Sequence, residues 1–135
     1  MSIPYLACIA AAAAFYHLPP RVLPSIQAVE GGRVGLVHPN ANGTADLGLM
    51  QVNTIWIQPL ATYAHMQPAD VANRLINDAC FNIAAAAAIM RVNLNQAHGN
   101  LMRAVGAYHS HTPALSQDYQ DKVLSAAARL FTRHN

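Results

Sequence analysis

The chain has 135 residues, enough for one domain (residues 1–135) with a modest core. Hydrophobic residues make up 53 % and charged residues 10 %, which excludes a disordered chain. The formal charge of +2 is too weak, and too scattered along the chain, for a dedicated nucleic-acid binder, although it would not repel an anionic polymer.

No apolar run is long enough to span a membrane. The first twenty residues, MSIPYLACIAAAAAFYHLPP, are apolar but lack a basic start and a clean small-residue cleavage site. They read as the first helix of a processed mature domain, with Met1 an addition for expression; a shortened signal peptide is the alternative. That helix is expected over Pro4 to His17. It is apolar all round and alanine-rich, so it should be central or tightly packed. Pro19-Pro20 breaks it and can start a second helix, running to Glu30 with Val22, Ile26 and Val29 on its apolar side. Pro24 should make the first turn of that helix irregular. Gly31 and Gly32 stop it.

Residues 33–46 read as a loop or short hairpin, with Gly35, Pro39, Asn40, Asn42-Gly43 and Thr44 as turn formers. Asn42-Gly43-Thr44 also spells a glycosylation sequon, but the tight-turn reading is the better one. Asp46 follows, then an alternating run from Leu47 to Asn53. A short helix is expected over Asn53 to Tyr63, disturbed by Pro59. Further helices are expected from Pro68 to about Asn77, from about Phe81 to Ala97, from Asn100 through Tyr108, and from a Ser116 cap to the end. His109 to Pro113 reads as a loop. The sum is a mainly α, single-domain fold with one small β element.

The stretch from Val29 to Asn53 carries the chemistry. Glu30 is the only glutamate. It ends a helix in an apolar context, beside two glycines that leave space above it. Burial there would raise its pKa and keep it protonated, as a general acid requires. The other acids are Asp46, Asp70, Asp78, Asp118 and Asp121. The last four fall where helix first turns are expected, so capping and dipole roles suffice for them. A carboxyl at a helix end, a second one in Asp46 and amides beside them suggest glycoside chemistry. Cys8 and Cys80 would close a loop of about 70 residues, and a bridge there would add roughly 4 kcal/mol. By counting alone, a disulfide and two buried thiols are equally good readings.

The pattern A-V-E-G-G, then N-x-N-G-T-x-D-L-G-L-M-Q-V-N, then N-I-A-A-A-A-A-I-M, then A-V-G-A-Y-H-S-H-T-P resembles the SLT-type, lysozyme-like lytic transglycosylases. It is closest to the small specialised enzymes that accompany type IV or type III secretion, conjugation and pilus systems. The resemblance covers nearly the whole chain in the family's order. It implies an α+β lysozyme-like fold, mainly α, with a short hairpin or extended segment beside the cleft. It implies Glu30 as the catalytic acid/base, and Gly48, Met50, Gln51, Asn53 and Tyr108 at the substrate. It also implies that Cys8 and Cys80 pair. Where many relatives have Asn after the motif tyrosine, this chain has His109, read as a loop histidine. The run around Asp46 also resembles the segment of animal lysozymes that carries their second carboxylate, which implies a catalytic or transition-state role for Asp46; a turn aspartate that organises the loop is the alternative. The implied activity is cleavage of the bond between N-acetylmuramic acid and N-acetylglucosamine in peptidoglycan, with a 1,6-anhydro product. The alternatives are a hydrolytic muramidase using Glu30 and Asp46, and a wall-binding assembly protein without turnover. The resemblance further implies a periplasmic monomer that needs no metal or cofactor and that works with secretion or conjugation components.

Overall fold

A computed structural model describes residues 3–132; Met1, read above as an addition, lies outside them. The described residues form seven α-helices: α1 (Leu6–Phe15), α2 (Val22–Glu30), α3 (Ile57–Ala64), α4 (Pro68–Asn77), α5 (Ala79–Gln96), α6 (Leu101–His109) and α7 (Pro113–Phe131). Between α2 and α3 lie three short strands, β1 (Val37–Pro39), β2 (Ala45–Leu47) and β3 (Val52–Asn53), followed by a 3-10 turn at Thr54–Trp56. The strands make an antiparallel sheet in the order β1-β2-β3. This is a mainly α, lysozyme-like fold.

Helix starts follow local chemistry. Asp78 and Asn100 cap α5 and α6 by accepting from the backbone N–H of Phe81 and Arg103. Pro68 and Pro113 take the first positions of α4 and α7, where a missing N–H costs nothing. Pro24 does not disrupt α2: it is the third residue, and the N–H it lacks would have had no partner within the helix. Pro59 acts as expected. It cannot donate to the carbonyl of Ile55, so the segment splits into the 3-10 turn and a fresh α-helix at Ile57.

Two further expectations fail. Ser116 does not cap the last helix, which begins three residues earlier behind Thr112. Asp118 and Asp121 therefore lie beyond its first turn; Asp118 pairs with Lys122 at 3.3 Å and Asp121 accepts from Gln117 at 3.1 Å. The first helix is also not central. Of α1 only Ile9, Ala12 and Ala13 are buried, and Phe15 is 70 % exposed. The central helix is α5, whose Ile83, Ala86, Ala87 and Met90 are fully buried. It packs against α1, α4, α6, α2 and β3. Both helices are alanine-rich, so that feature could not rank them; the elements packed around each do. Cys8 in α1 and Cys80 in α5 form a disulfide that ties the outer helix to the central one, with Cα atoms 5.4 Å apart.

Candidate active site

Glu30 is the last residue of α2, and Gly31 follows with a left-handed backbone (φ 62°) that ends the helix. Gly32 does not leave space, as the sequence suggested. A Cβ there would overlap the carbonyl oxygens of Gly48 and Leu49, so glycine is needed for the chain to press against that turn. Of these two glycines, Gly31 is the one with open space beside it. The half-buried Glu30 carboxyl accepts a hydrogen bond from the Tyr119 hydroxyl at 2.7 Å. Burial pushes its pKa up to about 7; the Tyr119 bond opposes this, and the nearby charge of Asp46 adds to it. Its position at a helix C-terminus disfavours the charged form in the same sense.

The opposite wall is the sheet. The run from Leu47 to Asn53 is not one alternating strand. Gly48 (φ 69°) and Gln51 (φ 52°) turn the chain back on itself, so that β2 pairs with β3 and Asp46 stands directly across from Asn53. Asn53 Nδ2 donates to Asp46 Oδ1 at 2.9 Å and to Thr44 Oγ1 at 3.1 Å. Thr44 in turn donates to Asn42 Oδ1 at 2.7 Å and accepts from Asn40. One hydrogen-bonded row therefore joins Asp46 to the tip of the β1–β2 hairpin.

The turn is anchored from below. Asn82 of α5 is fully buried; its Oδ1 accepts from the Met50 N–H at 2.8 Å, and its Nδ2 donates to the carbonyls of Leu47 and Leu75, each at 2.9 Å. Gly48 lies against the Leu75 carbonyl and the Asn82 amide, and a Cβ would leave no room for either. Gln51 Nε2 donates to the main-chain carbonyl of Glu30 at 3.0 Å, which closes the last turn of α2 onto the sheet. The Tyr108 hydroxyl donates to the Met50 carbonyl at 2.9 Å. Its burial, with the charges of Glu30 and Asp46 nearby, raises the Tyr108 pKa well above the ordinary range.

Between these walls lies a cleft of about 240 Å3, with Glu30, Asp46, Asn53, Asn42, Trp56 and Tyr108 among its lining residues. The lining includes no lysine or arginine. It is built from amides, hydroxyls, aromatic rings and two carboxyls, which suits an uncharged, hydroxyl-rich chain better than a phosphate. The transglycosylase SLT domain family matches residues 7–126, nearly the whole chain. The chain belongs to this family. SLT transglycosylases are lytic transglycosylases of peptidoglycan, that is, glycan lyases, and they act on the cell wall. A search of curated proteins finds no match.

The SLT cleft collects some of the residues singled out in the sequence and not others. Glu30, Asp46, Gln51, Asn53 and Tyr108 all line it. Gly48 and Met50, expected at the substrate, are buried beneath it: the first permits the turn, and the second fills the core with its side chain while its main chain holds Asn82 and Tyr108. Tyr108 does not hydrogen-bond Glu30; Tyr119 does. The sequence places Tyr119 and Trp56 only within helices, while Asn40, Asn42, Thr44 and Asn82 fall within the quoted motifs without a site role of their own. The one available signal for Tyr119 was a phenol on an otherwise aliphatic helix stripe, since a buried hydroxyl needs a partner. His109 is the last residue of α6 rather than a loop residue, and its ring stacks on that of Tyr119 with centroids 5.0 Å apart. Among the described residues, no single helix is long and apolar enough to cross a membrane.

Proposed function

We propose that Glu30 is the single acid/base of an intramolecular cleavage that leaves a 1,6-anhydromuramyl end. The observation that carries this reading is the Glu30 carboxyl, held near pKa 7 by burial while facing a cleft of sugar-binding character. Such a group is protonated often enough at neutral pH to act as an acid, and basic enough to act afterwards as a base. Protonated Glu30 gives its proton to the glycosidic oxygen between N-acetylmuramic acid and N-acetylglucosamine as the bond to C1 breaks. The positive charge that builds at C1 is stabilised by the substrate's own acetamido oxygen and by Asp46. Glu30, now a carboxylate, takes the proton of the muramyl C6 hydroxyl, and that oxygen closes onto C1. One glycosidic bond is exchanged for another and no water is consumed. In this scheme Tyr119 orients the carboxyl, while Asn53 fixes Asp46 and Gln51 seats Glu30 against the sheet.

Hydrolysis by Glu30 and Asp46 is the second reading, because both carboxyls line one cleft. Mass spectrometry of digested muropeptides separates the two: the anhydro product is lighter by one water. A hydrolysed product from wild-type protein would overturn the first reading in favour of the second.

In the fuller reading the chain is a periplasmic domain that opens the wall locally for a secretion or conjugation apparatus. Its support is the motif order shared with small enzymes of that kind, and a disulfide suited to an oxidising compartment. Crosslinking in cells that carry such an apparatus tests it; recovery of no apparatus component would count against it.

A further inference from the structure

A second depression, of about 260 Å3, adjoins the cleft and shares Trp56 and Ile89 with it. Trp56, Pro59 and Tyr63 form one wall, at the spacing of a single helix face, and Ile89 and Val92 of α5 form the other. Tyr16, just past the end of α1, closes one side, and its hydroxyl meets that of Tyr63 at 3.2 Å. The walls are carbon and aromatic ring, unlike the amide-lined cleft next door. Tyr63 is 61 % exposed and Val92 39 % exposed, so apolar surface stands open to solvent.

Arg91 supplies the only fixed charge in the lining. Its guanidinium is held in place by the carbonyls of Tyr16 and His17, at 3.3 and 3.4 Å, and by Asn95 at 3.2 Å. No carboxylate faces it: among the described residues the one ion pair is Lys122–Asp118. A fixed cation beside apolar walls, continuous with a glycan groove, calls for a ligand that is attached to the glycan, carries small aliphatic groups and ends in a carboxylate. A further sugar ring fits poorly, because its hydroxyls would find few partners on these walls.

We propose that this depression receives the peptide stem carried by the muramyl sugar. The alanyl methyl groups lie against Trp56, Tyr63 and Val92, and a stem carboxylate is drawn to Arg91. The proposal rests on the cleft being the glycan site, and it makes the protein a reader of the stem as well as a cutter of the strand.

Two substitutions at exposed positions test it, Tyr63→Ala and Val92→Glu; the second places a negative charge in the depression. The ratio of kcat/KM on stem-bearing strands to kcat/KM on strands stripped by an amidase should fall about tenfold in each variant. An unchanged ratio, whether both substrates suffer equally or neither does, overturns the proposal. Trp56 is the only tryptophan, so its fluorescence reports binding directly. The free tetrapeptide stem should shift its emission in the wild type and should need about tenfold higher concentration in either variant. No shift in the wild type at millimolar peptide also overturns the proposal. A wild type that cleaves neither substrate would sink the reading of the cleft instead, and the peptide titration would still decide the depression.

Discussion

The two carboxyls of the cleft sit in opposite kinds of surroundings. Glu30 ends a helix packed on the core, with one phenol as its side-chain partner and a pKa lifted to about 7 by burial. Asp46 stands on a thin sheet, part of a row of amides and hydroxyls that ends at the exposed tip of a hairpin. The difference teaches that burial and hydrogen bonding set the two carboxyls apart, since the functional groups are chemically the same. On the helix side, burial favours the protonated carboxyl. On the sheet side, a hydrogen-bonded row orients the other carboxyl.

The sharpest break of this comparison is Glu30→Gln. It keeps an acceptor for Tyr119 and removes the proposed proton donor, so wall cleavage should fall by about 10³-fold or more while circular dichroism stays unchanged. Near-normal turbidity clearance by that variant would end the dry-acid account. Next in size is Asn82→Ala. It strips partners from the Met50 N–H and from the Leu47 and Leu75 carbonyls, and should cost about 3 kcal/mol in a denaturant titration while loosening the sheet wall more than α2. A loss below about 1 kcal/mol would show that the turn holds itself.

A smaller effect appears in stability against pH. Folded Glu30 binds its proton more tightly than the unfolded chain does, between the ordinary 4.5 and about 7. Its contribution is therefore fully present below pH 4.5 and lost as pH rises through 7. Glu30→Gln should be the more stable protein at pH 8, by about 2 kcal/mol after discounting for the water that reaches the carboxyl, and should show no such advantage at pH 4. Equal melting temperatures at pH 8 would mean that the pocket is wet.

The finest test moves the pH–rate profile. Activity that needs protonated Glu30 should decline as pH rises through about 7. The Tyr119 bond favours the carboxylate, so Tyr119→Phe should move that limb to higher pH. Asp46 disfavours the carboxylate, so Asp46→Asn should move it lower. Shifts in the same direction for both variants would contradict the opposed surroundings described here.

Much of this was readable along the chain, because it depends on neighbours within a turn or two. Pro68, Asp78 and Asn100 placed the starts of α4, α5 and α6, and the glycine pair placed Glu30 at the end of α2. Where a local rule admitted two answers, it misled. A serine three residues inside α7 looked like its cap, and an alternating run that folds back through Gly48 and Gln51 looked like one strand. Composition alone also pointed to the alanine-rich α1 as central or tightly packed.

What the chain determined alone is that a lone glutamate closes a helix ahead of an amide-rich turn and a second acid, since capping and turn chemistry are short-range. Which phenol would meet that glutamate was decided only on folding, because Tyr119 lies 89 residues away. The same holds for Asn82, 32 residues beyond the N–H of Met50 that it binds, and for α5 becoming the centre instead of α1. Burial is a property of everything packed around a residue, and no local pattern carries it.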